Sequence, residues 1–214
     1  PWTIWRGLRC LWPGTVALPH ALLPQIQGNR SSQHCQSLPE HACRIFSTHT
    51  AWSMHPNAAL VERFYSSFQK KDFSSMNECY SDTVIFRDPV FETLEAWKAK
   101  AMWQMLVERG GSDLTISYKD IEAGPDTGSA QWEAVYRFGK TGNTVHNKIR
   151  ASFEFAGGKI VKHTDDFSLW TWAGMALGLK GTLLGWTPFV QKAIRKEAQT
   201  GLELFIKRKR LGPK

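Results

Sequence analysis

Apolar residues recur at helical spacing in "AALVERFYSSFQKKD", where Leu60, Phe64 and Phe68 form a stripe with Val61 and Tyr65 beside it. Positions three and four apart share a helix face, so the run that Pro56 and Asn57 lead into predicts an amphipathic helix. Asp72 is placed to cap a second, short helix through Tyr80. The period then falls to two in "TVIFRDPVF", a strand ended by Pro89. Thr93 to Glu108 returns to the helical period through Leu94, Trp97, Ala101, Met105 and Leu106. Three or four strands follow, at Leu114–Ile121, Ala130–Lys140, Thr144–Ala156 and Lys159–Leu169. The turn-forming runs "AGPDTG", "GKTGN" and "AGG" separate them. Helices first and a long antiparallel meander after them predict an α+β fold. A strongly curved sheet wrapped on the N-terminal helices would make a cone with an internal pocket.

Beyond Trp170 the pattern changes again. "TWAGMALGLKGTLLGW" is apolar and rich in Gly and Trp, and Pro188 then opens an amphipathic helix that ends on "IKRKR". Leu169 to Trp186 approaches the length of a membrane span, but Lys180 and four glycines interrupt it. A lid, a dimer contact or an interfacial helix fits it better.

Charge sharpens the division. The chain of 214 residues has a formal charge of +8, carried by its ends. Residues 1–53 hold four arginines and one acid, residues 54–179 hold 14 basic and 16 acidic residues, and the last 35 hold nine basic residues and two glutamates. The central domain therefore has no basic field of its own, which argues against a nucleic-acid partner. Residues 1–53 keep no helical or strand period across their prolines and read as a disordered leader. Two explanations compete. One is a transit peptide, with "CRIFST" as an arginine-proximal cleavage site. The other is a true start at Met54, with the preceding residues untranslated in life. The first implies the mitochondrial matrix and the second the cytoplasm. The expected organisation is thus a leader (1–53), a domain (54–170) and a C-terminal extension (171–214). Cys10, Cys35, Cys43 and Cys79 lack the paired spacing of a zinc site, and reduced thiols are expected.

Strand parity selects the candidate chemistry. In Lys159–Leu169 the more apolar face carries Val161, His163, Asp165, Phe167 and Leu169. Asp166 shares the other face with Ile160, Lys162 and Thr164. In "TVIFRDPVF" the same test turns Val84, Phe86 and Asp88 inward and Arg87 outward. His146 falls on the outer parity of its strand and Asn147 on the inner. Asp165, Asp88 and His163 on an apolar wall are candidates for acid/base work. Plainer roles stand beside these: Asp88 before Pro89 suits a turn, Asp165 a sheet end, and His163 a satisfied core residue.

Residues 54–170 resemble the SnoaL-like branch of the nuclear transport factor 2-like superfamily, with its polyketide cyclases, ketosteroid isomerase and limonene epoxide hydrolase. The resemblance rests on "FYSSFQKKDFSSMNECYSDTVIFRDPVF" and "GGKIVKHTDDFSLW". It implies the same cone, commonly dimeric, and a reaction without metal or organic cofactor. Asp88 matches the general base of the isomerase. The isomerase's two oxyanion donors are replaced by Phe64 and Ala151, and Tyr65 is turned about 100° from the first of them. Asp165 matches an acid/base aspartate of the cyclases and a catalytic aspartate of the hydrolase. The hydrolase's Arg-x-Asp is replaced by Trp132, Glu133 and Ala134. The expectation is a small apolar carbonyl compound within a wall of Phe64, Tyr65, Phe86, Trp132, Tyr136, Asn147, Phe153 and Phe167. Asp165 would move its proton, His163 or Asn147 would orient it, and Asp88 would be a second acid/base. The alternatives are a non-catalytic ligand-binding or dimerisation module, and attachment to a membrane surface through the extension.

Overall fold

The computed structural model describes residues 55–213; the leader lies outside them. Helix α1 (Pro56–Gln69) begins with a proline in its first turn, and the His55 imidazole accepts the Asn57 N–H at 3.1 Å. Asn57 Nδ2 donates to the Gly124 and Pro125 carbonyls, which fastens the start of the helix to a distant loop. Val61, Phe64, Tyr65 and Phe68 are all buried. Asp72 caps α2 (Phe73–Cys79) by accepting the Ser75 N–H, as its position predicts.

Strand β1 (Tyr80–Asp88) pairs with a short β2 (Glu92–Glu95), and α3 (Ala96–Gly110) follows. This corrects the expected helix from Thr93. Leu94 is buried from a strand, Ala101 and Met105 are buried as expected, Ala99, Trp103 and Val107 are buried with them, and Trp97 is only half-buried. The meander comprises β3 (Thr115–Ala123), β4 (Thr127–Arg137), β5 (Thr144–Ala156) and β6 (Lys159–Asp166). Gly157 and Gly158, both at positive φ, make the tight β5–β6 turn, where a side chain would be strained.

The sheet order is β2-β1-β6-β5-β4-β3, and β1 runs parallel to β6 while the other pairs are antiparallel. With its helices this curved six-stranded sheet forms the α+β cone. Its interior is aromatic: Phe64 and Phe86 meet Trp103 edge-on at centroid distances of 5.4 Å, a favoured geometry.

Helices α4 (Leu169–Leu177) and α5 (Leu179–Leu184) form a hairpin, and α6 (Pro188–Lys209) starts at the expected proline. Trp172 ties the hairpin to the sheet, stacking edge-on against Phe138 and donating to Tyr136 Oη at 2.8 Å. Helix α6 lies against α3 with Leu202 and Phe205 buried; Lys209 pairs with Glu108, and Arg109 donates to the Gly201 carbonyl. Arg195 Nε donates to the Pro89 carbonyl at 2.9 Å, so α6 also holds the turn that follows Asp88.

Candidate functional site

Strand pairing builds the site. The parallel register sets Phe86 beside His163, so Asp88 and Asp165 come two residues later on neighbouring strands. Both strands turn these positions inward: Val84, Phe86, His163 and Asp165 are buried, and Asp88 is half-buried. Parity fails at one place. Ile160 is fully buried and Val161 only half-buried, because Glu154 faces Lys162 while the next β5 residue, Phe155, faces Ile160. Val161 is the extra residue of a β-bulge, which reverses parity before His163.

His163 is fully buried and hydrogen-bonded at both nitrogens. Nδ1 lies 2.7 Å from Tyr80 Oη, and Nε2 lies 3.0 Å from Asp165 Oδ1. Trp103 Nε1 donates to Tyr80 Oη at 2.8 Å, and Trp132 Nε1 donates to the same Asp165 oxygen at 3.0 Å. An indole only donates and a carboxylate only accepts. One proton arrangement therefore leaves none of the five groups unpaired: Tyr80 donates to Nδ1, and Nε2–H donates to Asp165. Phe64, Phe86, Trp103 and Phe153 pack around the imidazole. No described residue donates a hydrogen bond to Asp165 Oδ2.

Asp88 differs. Its Oδ1 accepts the Val90 N–H at 2.9 Å and also the Phe91 N–H, so the turn role and the inward position coexist. Burial pushes its carboxyl from the ordinary 3.8 up to about 7, the Phe91 N–H opposes this, and the nearby Asp165 charge adds to it. Tyr65 also enters the core. Its ring is fully buried and stacked on Tyr118, and its hydroxyl has no partner among the described residues. Burial and then the Asp165 charge hold that phenol well above its usual range, and Tyr80 likewise. The helical turn separating Tyr65 from Phe64 thus does not remove it from the interior; both side chains face the core.

The remaining wall residues divide. Trp132, Phe86, Phe153 and Phe64 surround the buried network. Tyr136 and Asn147 are half-buried, and the Tyr136 hydroxyl is engaged by Trp172. Phe167 is half-buried and borders a cleft of about 540 Å³ with Gln131, Glu133, Lys148, Arg150 and Asp166. A second cleft lies beside α2 and the start of β1, and neither is lined by Asp88, His163 or Asp165. His146 is exposed and pairs with Glu133 on the outer face, so Glu133 does not supply an inward acid. Among the described residues no three His, Cys, Asp or Glu side chains are grouped to hold a metal. Sequence reasoning did not select Tyr80 or Trp103 for the site. The available signal was the i, i+4 row Ala99–Trp103–Val107, once the helix is started at Ala96.

The fold is a curved α+β cone around a buried acid–imidazole network. Residues 61–163 match the model of the SnoaL-like domain family. Solved structures are similar to part of the chain. An epoxide hydrolase of the limonene epoxide hydrolase type from M. tuberculosis is 16% identical, with 62% of this chain and 98% of that one covered and a TM-score of 0.48. A proposed polyketide cyclase from Xanthomonas campestris pv. campestris is 18% identical, over 56% and 96% of the chains, with a TM-score of 0.47. A protein of unknown function from Burkholderia pseudomallei is 13% identical, over 54% and 92%, with a TM-score of 0.46. No curated protein matches the chain.

Proposed function

We propose that the domain binds a small, largely apolar carbonyl compound inside the cone and moves a proton on it without metal or organic cofactor. The observation that carries this reading is the inward pair Asp88 and Asp165 on adjacent parallel strands, of which Asp88 titrates near 7. A general base works best with a pKa close to the working pH, so Asp88 is the group that takes a proton from carbon next to the carbonyl. The Asp165 carboxylate is oriented by Trp132 and by His163, itself held by Tyr80, and offers Oδ2 to the ligand. The Tyr65 hydroxyl is a donor without an acceptor among the described residues, suited to the oxygen on which enolate charge develops.

A panel of cyclic enones and 1,3-diketones incubated with the protein in D₂O tests this by mass spectrometry. Protein-dependent deuterium uptake is expected, falling about a hundredfold in Asp88→Asn. A second reading is a binding module without chemistry. It is favoured by the aromatic enclosure of His163 and by the two clefts, neither of which is lined by the acids. Retained binding with no deuterium uptake by the native protein would select it. Uptake that survives Asp88→Asn would move the chemistry to Asp165.

A further inference from the structure

The C-terminal hairpin is packed in the reverse sense to a soluble one. The residues between α4 and α5 are small: Ala173 and Gly181 are buried, and a Cβ on Gly181 would fall 1.8 Å from the Ala173 carbonyl oxygen. The large apolar residues point away. Trp170, Leu179, Leu183, Leu184, Trp186 and Phe189 are 49 to 82% exposed, and nothing among the described residues covers them. Single exposed leucines are ordinary, but six large apolar side chains within twenty residues form a patch that calls for a partner.

We propose that this corner of the molecule, α5 with the ends of α4 and α6 beside it, docks on an anionic lipid surface. Three observations choose lipid over a second copy or another protein. The first is charge. From Phe167 to Lys196 there is no acidic residue, and Lys180, Lys192 and Lys196 are exposed beside the patch. Lys180 lies one turn from Leu183 and Leu184, and Lys192 one turn from Phe189. Two such patches would repel each other, whereas an anionic headgroup layer attracts them. The second is the state of the indoles. Trp170 Nε1 donates to the Thr182 carbonyl and Trp186 Nε1 to the Leu183 carbonyl, each at 3.0 Å. Both N–H groups are satisfied within the hairpin, so the rings enter an apolar medium without stranding a donor. The third is the small-residue helix contact, the way helices pack where large apolar groups are better placed outward. No described helix is long and apolar enough to cross a bilayer, so the contact is interfacial. Trp172 is the exception among the tryptophans, since it anchors the hairpin to the sheet.

The proposal is independent of chemistry inside the cone and is tested on the full chain by vesicle flotation. Strong flotation is expected with phosphatidylcholine vesicles containing phosphatidylserine, weak flotation without it, and release by salt. Leu183→Asp with Leu184→Asp should lower partitioning about tenfold or more, with unchanged circular dichroism. Lys180→Glu with Lys192→Glu should remove the phosphatidylserine dependence while sparing the fold. Absence of flotation overturns the proposal. Sedimentation of the native chain as a dimer that the double leucine variant abolishes, without flotation, would assign the patch to a second copy.

Discussion

At the residue scale, two buried tyrosines with opposite hydrogen-bond accounts predict opposite behaviour. The Tyr80 hydroxyl joins Trp103 to His163, so Tyr80→Phe orphans an indole N–H and a ring nitrogen. A destabilisation of about 2–4 kcal/mol is expected in urea unfolding. The Tyr65 hydroxyl has no partner among the described residues, so Tyr65→Phe should be neutral or stabilising, by about 1 kcal/mol, while weakening the proposed ligand contact. A loss of stability equal to that of Tyr80→Phe would show that Tyr65 is not the spare donor. Asp88 adds a pH dependence. Its carboxyl titrates near 7 in the folded chain and near 3.8 when unfolded, so between these values the folded state binds the extra proton. Stability therefore falls as pH rises through that window, and the penalty is complete above it. Asp88→Asn keeps an oxygen for the turn and should be more stable than the native chain at pH 8, on the order of 1–3 kcal/mol, with the gain vanishing near about pH 4. Unfolding curves at the two pH values check this. Any activity should rise with pH through about 7.

At the scale of elements, the sequence was most legible where one period ran unbroken. Strand β5 is read from end to end, and α1 and the Asp72 cap follow from spacing alone. Alternation also turned His163 and Asp165 inward, but it did so from the wrong start, since Val161 is bulged and Ile160 is the buried neighbour. A bulge is a property of two paired strands and leaves no mark in either one alone. The same holds for β2, whose residues Thr93 and Leu94 pass for a first helical turn until β1 pairs with them. His163's partners are long-range too, reached through tertiary packing that no local period encodes. The α4–α5 contact makes its own prediction. Gly181→Ala places a methyl group against the Ala173 carbonyl and should pry the hairpin apart. Hydrogen exchange should then quicken in α5 while β5 and β6 stay protected.

Across the whole molecule, the sheet consists of two local blocks joined by one distant pairing. One is the β1–β2 hairpin with α3; the other is the β3–β6 meander, in which each strand neighbours the next. Among the described strands only the parallel β1–β6 pairing joins them, and the Tyr80–His163 bond it permits closes 83 residues of chain. Closing so long a loop costs entropy before any contact repays it, so non-local pairing is the slow part of folding. Asp88 belongs to one block and Asp165 to the other. The proposed acid pair therefore does not exist in either block alone, and it appears only when the two dock. Variants that loosen the β1–β6 seam should lose the site while the meander survives. Function then reports on the completeness of folding rather than on the presence of structure.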